Sequence, residues 1–369
     1  MNRNRANSEQ SAACSVMFDA TPRRKMLKLG VAWLATTGSV HAVANNLVEN
    51  FPPRTDLDRL YDERVDKAVR RGLEFLLSRQ QEDGSFASQE QGKWVGVVSL
   101  AGLALLSRGI RPDGSGAGQA LRRAGNYVMQ QVQSSGFLSA LGKTSHGPMY
   151  DHGFGTLFLA ELYGTSSDLD VRPKLSAAVK LILDTQNNAG GWRYNPRPEE
   201  ADLSVTVCQM MALRAARNAG IGVPAEQVDR AVDYIRRSQN ADGGYMYRIT
   251  GGESRFPLTA AAVVALYNAG IYEGPEIDLA VNYLRANAAA NSSLERNGFF
   301  FYAHYYSAQA FWHIGEDSWE RWYSGLKKTI LNLQNAQGGW FDYNSVEYGT
   351  AMACLILNMP RTVLPIFQR

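Results

Sequence analysis

Two of the five histidines in this chain lie among side chains that suit proton transfer. Asp151 directly precedes His152, and a carboxylate beside an imidazole can determine which ring nitrogen carries the proton. His304 lies between tyrosines far along the chain, and imidazole titrates near neutral pH, as a general acid or base must. We therefore take Asp151, His152 and His304 as the first candidate catalytic residues.

Aromatic and cationic side chains are concentrated in several separate segments of the same chain. We take six of them as candidate substrate-binding residues: Trp94, Tyr194, Arg255, Tyr302, Tyr305 and Tyr348. Aromatic side chains with a few polar groups suit a ligand that has a hydrocarbon body and a polar head. These segments can form one site only if the fold brings them to the same place.

A glycine followed by an aromatic residue recurs six times, at intervals of about 50 residues, with the last interval shorter. The six copies are Gly84-Ser85-Phe86, Gly136-Phe137, Gly190-Gly191-Trp192, Gly243-Gly244-Tyr245, Gly298-Phe299 and Gly338-Gly339-Trp340. A glutamine precedes four of them: Gln81, Gln186, Gln239 and Gln334. Glycines just after a helix supply the positive φ of a C-terminal cap, and we expect the aromatic side chain to fold back onto that helix.

Each repeat contains two helices of different character. The segment before the glycines is amphipathic, as in residues 65–77, and should have one face in water. The segment after them is almost uncharged, as in residues 96–106 and 203–213, and must be surrounded by protein. Six half-exposed helices alternating with six buried ones predict an all-α fold, an α/α toroid with an inner ring and an outer ring. The segments that join the glycine turns to the inner helices then meet at one end of the ring.

The Gln-x-x-x-Gly-Gly-Trp element over roughly residues 60–359 resembles the QW repeat of squalene cyclases and the related repeat of protein prenyltransferase β subunits. This resemblance implies a toroid whose apolar cavity holds a prenyl (isoprenoid) chain. It is specific for the fold, and the reaction depends on a few polar groups at the cavity.

The family's catalytic motifs are only partly present. Protonating cyclases carry Asp-x-Asp-Asp-Thr at the head of an inner helix, and the nearest segment here is Asp202-Leu203-Ser204-Val205-Thr206. Ser204 cannot deliver the proton that the central acid would supply. Asp202 is the remnant of the motif, and the resemblance makes it our fourth candidate catalytic residue.

Protein prenyltransferases hold zinc through an Asp-x-Cys pair and a distant His, and no Asp-x-Cys occurs in this sequence. Cys208 and Cys354 lie inside apolar segments and are expected to be small buried side chains. We therefore predict no metal site and no cofactor. The formal net charge of +3 also argues against nucleic acid as a partner.

The first 44 residues have the order of an export signal. Arg23-Arg24-Lys25-Met26-Leu27-Lys28 precedes an uncharged run over residues 29–40 and small-residue cleavage sites at Ala42 or Ala44. The paired arginines resemble a twin-arginine signal, which exports folded proteins to the periplasm or another extracytoplasmic space. The run is too short to span a bilayer. We expect a signal at residues 1–44, a linker at 45–57 and the toroid domain at 58–369.

Three functions fit these observations. The first is an exported enzyme of isoprenoid metabolism, and the second is a non-catalytic toroid that binds a lipid or a peptide. The third is a polysaccharide-acting enzyme with an α/α toroid, which would need two opposed carboxylates. Asp151, Asp202, Asp342 and Glu347 follow different repeats and are the acids available for that chemistry.

Overall fold

A computed structural model describes residues 60–87, 93–140, 147–166, 169–291, 299–342 and 345–368 of the chain. Within these ranges there are twelve α-helices, three short 3-10 helices and no sheet, which confirms the all-α prediction. The predicted signal at residues 1–44 and the linker at 45–57 lie outside the described residues. No helix of the described part is both long and apolar enough to cross a membrane.

Inner and outer helices alternate along the chain. The outer helices are α1 (Glu63–Arg79), α3 (Gly116–Gln130), α5 (Val171–Asp184), α7 (Ala225–Arg237), α9 (Pro275–Asn287) and α11 (Glu316–Leu333). The inner helices are α2 (Val95–Ser107), α4 (Pro148–Tyr163), α6 (Leu203–Asn218), α8 (Phe256–Asn268), α10 (Phe300–Ile314) and α12 (Val346–Leu357). Each inner helix packs against the next, and α12 packs against α2, so the ring is closed. This arrangement is the predicted α/α toroid.

Burial follows the charge pattern of the two kinds of helix. Every residue of α2 is buried, as an uncharged helix between two neighbours and an outer ring requires. Helix α1 buries one stripe, which includes Val65, Val69 and Leu73, and its charged residues lie outside this stripe, exposed or half-buried. Asp62 begins this helix, and its carboxylate accepts a hydrogen bond from the Val65 amide at 3.0 Å.

The repeated glycine has two structural tasks. In five repeats its φ lies between 84° and 98°, at Gly84, Gly136, Gly190, Gly243 and Gly338. A Cβ atom at any of these positions would also lie 2.1–2.7 Å from a backbone oxygen of the next outer helix along the ring. At Gly190 that oxygen belongs to Arg230 of α7. The glycine therefore turns the chain and lets the next outer helix pack directly on the turn.

The repeated glutamine connects the same two elements. The Nε2 atom of Gln186 donates to the Gly190 oxygen at 2.8 Å and to the Gln227 oxygen of α7 at 2.9 Å. Gln239 and Gln334 make the corresponding pairs of hydrogen bonds. In the first repeat Gln80 makes these bonds, with the oxygens of Gly84 and Ala120, so the repeated glutamine is Gln80 and not Gln81.

The aromatic residue after the glycines packs as predicted in the repeats that end in tryptophan. The indole nitrogens of Trp192 and Trp340 each donate at 2.7 Å to a carbonyl oxygen of the preceding outer helix, at Ile182 and Ile330 respectively. Two repeats differ. Leu138 is fully buried in the second repeat while Phe137 is only half-buried, and Phe299 is 67% exposed in the fifth. The assignments of Phe137 and Phe299 to this position were therefore wrong.

The C-terminal segment folds across one end of the ring. The Val363 amide donates to the Ser107 oxygen at the end of α2, and the Ile366 amide donates to Glu161 Oε1 near the end of α4, at 3.2 Å in both cases. Ile366 and Phe367 are buried. This segment lies at the end of the ring where the inner helices finish.

Candidate functional site

The beginnings of the inner helices meet at the opposite end of the ring, which we call the mouth. Two backbone hydrogen bonds join its loops, from the Met149 amide to the Tyr194 oxygen and from the Leu203 amide to the Tyr247 oxygen, at 3.0 and 2.9 Å. The rings of Tyr150 and Tyr194 lie 6.1 Å apart, between centroids. The loops of neighbouring repeats therefore contact one another at the mouth, as a closed ring predicts.

Asp202 is a fully buried acid of the mouth. It begins α6, and its Oδ1 atom accepts hydrogen bonds from the Val205 amide at 3.0 Å and the Ser204 hydroxyl at 2.7 Å. Its Oδ2 atom accepts one from Arg193 at 3.1 Å. Burial raises the pKa of Asp202 above its usual value, although Ser204, Val205 and Arg193 each act to lower it. Both oxygens of this carboxyl group already have partners.

Two chains of hydroxyl groups extend from Asp202. The Tyr150 hydroxyl lies 2.6 Å from the Ser204 hydroxyl, which in turn donates to Asp202. On the other side, the Arg193 guanidinium lies 4.6 Å from the centre of the Tyr194 ring. The hydroxyls of Tyr194 and Tyr247 are 2.5 Å apart. Asp202 therefore organises a network that connects three repeats, because its members come from α4, from the head of α6 and from the loops that precede α6 and α8.

Three tyrosines of α10 lie beside this network. The hydroxyl groups of Tyr302 and Tyr306 are buried and have no hydrogen-bond partner among the described residues, whereas the buried Tyr305 hydroxyl lies near the Gln309 side chain. Burial raises the pKa of all three phenols, and the nearby Cys208 thiol adds to the effect in each. Gln209 Oε1 in α6 is also buried without a partner there. Unpaired buried polar atoms are costly, so this group calls for a ligand or for water.

His152 and His304 lie apart from this group. The His152 ring is fully buried, accepts a hydrogen bond from the Leu138 amide and contacts the Ala178 oxygen of α5, both at 3.1 Å. The His304 ring contacts the Asn291 oxygen at 3.0 Å and lies 5.9 Å from the Trp322 ring of α11. Each imidazole is thus packed toward an outer helix. The structure does not bring the two histidines together with Asp202.

The other predicted residues occupy different environments. Asp151 is buried and its Oδ1 atom accepts a hydrogen bond from the Gly96 amide of α2 at 2.8 Å. Arg255 is exposed at the start of α8, and Trp94 is half-buried before α2. Glu347 pairs with Arg79 at 2.6 Å. Of the ten predicted site residues, the structure groups five at or beside the mouth network: Asp202, Tyr194, Tyr302, Tyr305 and Tyr348.

Six further members of the group were not among the predicted site residues: Tyr150, Arg193, Ser204, Tyr247, Tyr306 and Gln209. The spacing of Tyr302 and Tyr306 was an available signal, because residues four apart share a helix face. Ser204 was rejected as a proton donor, yet it is the link between Tyr150 and Asp202. Its hydroxyl joins two helices, which sequence alone does not reveal.

The described residues contain no group of three or more His, Cys, Asp or Glu side chains placed to hold a metal ion. Cys208 and Cys354 are both buried and unpaired with each other, as expected of small core side chains. Burial raises the pKa of both thiols.

The closed double ring of helices has counterparts among known proteins. The family model described as the prenyltransferase alpha-alpha toroid domain matches residues 93–299, more than half of the chain. The chain belongs to this family. No curated protein matches the sequence. The match includes the head of every inner helix from α2 to α8 and ends just before α10.

Solved structures show the same toroid at low sequence identity. The type II terpene cyclase MstE from Scytonema is 15% identical with a TM-score of 0.58, covering 83% of this chain and 99% of its own. A variant of MstE in complex with its substrate, geranylgeranyl dihydroxybenzoate, is 16% identical with a TM-score of 0.55, covering 81% and 98%. The cellobiose 2-epimerase of Spirochaeta thermophila is 15% identical with a TM-score of 0.64, covering 83% and 97%. Cyclase and epimerase share this fold, so the fold itself does not select a reaction.

Proposed function

We propose that this toroid binds an isoprenoid ligand, with the polar head at the mouth and the hydrocarbon directed between the inner helices. The observation that carries the proposal is the group of tyrosines beside Asp202, whose rings offer apolar surface. Two of them, Tyr302 and Tyr306, have buried hydroxyls that lack partners among the described residues. A ligand with a hydroxyl or carboxyl head would satisfy those groups. The complex of MstE with a prenylated substrate supports the same class of ligand for this fold.

The geometry favours binding over cyclisation by proton transfer. An acid that protonates an alkene must direct its proton into the cavity, and both oxygens of Asp202 instead accept hydrogen bonds from protein groups. The raised pKa of Tyr150 makes its phenol a still weaker acid than usual. We assign Asp202 the role of holding Arg193, Ser204 and Tyr150 in place for the ligand head.

Carbohydrate hydrolysis has less support. It needs two carboxylates facing each other across a substrate. Asp151 accepts from a backbone amide of α2, Asp202 pairs with Arg193, and Glu347 pairs with Arg79. Each of these acids therefore has a structural partner of its own, and none shares one with another.

The experiment is a comparison of geraniol binding by the full chain and its Asp202→Asn variant. Asparagine keeps the N-terminal cap of α6 but loses the charge that orders Arg193. We expect the affinity to fall at least about tenfold, the equivalent of one charged hydrogen bond. Equilibrium dialysis with radiolabelled geraniol measures this, and gas chromatography of the recovered ligand tests for turnover.

The matched control is Tyr272→Phe, because Tyr272 is 52% exposed and lies after α8, away from the mouth. Its affinity for geraniol should equal that of the wild-type chain. The proposed function is contradicted if the wild-type chain does not bind geraniol, or if Asp202→Asn binds it with unchanged affinity.

A further inference from the structure

The space between the inner helices is interrupted about one turn below the mouth. Helices α4 and α10 lie on opposite sides of the ring, three steps apart in either direction. The rings of Phe154 in α4 and Tyr305 in α10 nevertheless lie edge to face with their centroids 6.0 Å apart. Two aromatic rings from opposite helices thus meet across the centre of the ring.

The C-terminal segment supports this contact from below. The Phe367 ring lies 6.0 Å from the Tyr305 ring, on an edge, and Phe367 is fully buried. The 3-10 turn Pro365–Phe367 also packs against α6, and Ile366 is held by Glu161 of α4. The segment therefore contacts helices on several sides of the ring, which places Phe367 near the ring axis. We call Phe154, Tyr305 and Phe367 the floor.

The depth above the floor follows from helix geometry. Tyr150 at the mouth and Phe154 at the floor are four residues apart on α4, and Tyr302 and Tyr305 are three apart on α10. At about 1.5 Å per residue the floor lies roughly 5 Å below the mouth tyrosines. The inner helices continue for two or more turns beyond it, where the C-terminal segment contacts α2, α4 and α6.

From this geometry we propose that the floor limits the site to a compact ligand of one or two isoprene units, and that Phe154 and Phe367 determine this length. The inference rests on the proposed function, because it names the size of the ligand for the same site. A longer prenyl chain has no space below Tyr305. Its additional units would stay outside the ring and gain no apolar contact there.

The test measures the affinity of the full chain for geraniol, farnesol and geranylgeraniol, which contain two, three and four isoprene units. Affinities for all three ligands should agree within about threefold in the wild-type chain, because units that stay in water add no burial. The variants Phe367→Ala and Phe154→Leu remove part of the floor. In them farnesol should bind at least about tenfold more tightly than geraniol, since a further unit is buried.

Phe311→Ala is the control. Phe311 is equally buried on α10, but its ring stacks on Trp322 of the outer helix α11 at 5.1 Å. This variant loses a similar aromatic volume and should keep the wild-type order of affinities. Circular dichroism of each variant establishes that it is folded before binding is measured, and Phe154→Leu keeps most of the packing if Phe367→Ala unfolds.

The outcomes are distinct. A wild-type affinity that rises tenfold with each added unit overturns the floor, as do folded Phe367→Ala and Phe154→Leu variants with the wild-type profile. If none of the three alcohols binds to the wild-type chain, the proposed function fails and this inference fails with it.

Discussion

At the scale of single residues, buried polar groups differ in whether their hydrogen-bonding atoms have partners. His152 joins two elements through its ring nitrogens, one at the Leu138 amide and one at the Ala178 oxygen. The hydroxyls of Tyr302 and Tyr306 in α10 have no such partner in the described chain. We therefore assign His152 to the fold and keep these two tyrosines as candidates for binding.

The two buried histidines should make the protein sensitive to acid. Burial lowers the pKa of His152 and of His304 from 6.5 to about 4, so the folded state resists protonation that the unfolded chain accepts. The contribution of these two neutral histidines to the free energy of unfolding is therefore complete above pH 6.5 and is lost as the pH falls toward 4. Each histidine should account for a loss of about 2 kcal/mol between pH 7 and pH 5.

Urea unfolding at the two pH values measures this loss. His152→Ala should be less stable than wild type at pH 7, because two backbone groups lose their partner, yet its further loss at pH 5 should be smaller by about 2 kcal/mol. His304→Ala provides the parallel measurement. A variant that retains the full wild-type loss would show that its histidine is not the group that titrates.

The sequence carried some of this information and lacked the rest. A carboxylate beside an imidazole predicted a pair, but successive helix residues point in different directions, so Asp151 faces α2 and His152 faces α5. Asp202 was recognisable from its motif at a helix head. The floor was not predictable, because Phe154, Tyr305 and Phe367 are distant in sequence and meet only through ring closure.

At the scale of elements, the glycine turn ends the outer helix of each repeat and leads the chain to the next inner helix. The period of the glycines predicted the number and order of the helices, since the spacing of turns is a local property of the chain. It did not predict the register at Phe137, because the position that packs inward is decided by contact with the next helix, where Leu138 is buried.

A pair of glycine substitutions separates the two tasks of the glycine turn. Gly190 and Gly220 both have positive φ, 95° and 78°. A Cβ atom at Gly190 would lie 2.1 Å from the Arg230 oxygen, whereas at Gly220 nothing lies within 4 Å. Gly220→Ala should cost about 1 kcal/mol of unfolding free energy through its backbone alone. Gly190→Ala should cost about 2 kcal/mol more, since α7 must move away.

Thermal and chemical unfolding of both variants measure the difference. Equal costs for Gly190→Ala and Gly220→Ala would mean that the outer helix is not held against the turn. Helical content by circular dichroism should remain close to wild type in both.

At the scale of the whole molecule, the toroid is a single closed body, and we propose that it is exported after folding. Residues 1–44 carry the twin-arginine pattern, which suits a protein whose ring must close before it leaves the cytoplasm. Replacing Arg23 and Arg24 by Lys should retain the protein inside the cell while the wild-type chain reaches the periplasm. Fractionation of a bacterium that has the twin-arginine export system measures the difference, and equal export of both chains would contradict the proposal.

Ring closure also has a consequence for synthesis. Helix α1 packs chiefly against α12, and Gln334, after α11, bonds to the Ala68 oxygen of α1. The first helix made in the toroid thus finds its partners only when nearly all of the domain has left the ribosome. Contacts between distant parts of a chain form slowly, because the intervening loop must first close. Until then the apolar stripe of α1 lacks its main native partner, and a chaperone could cover it.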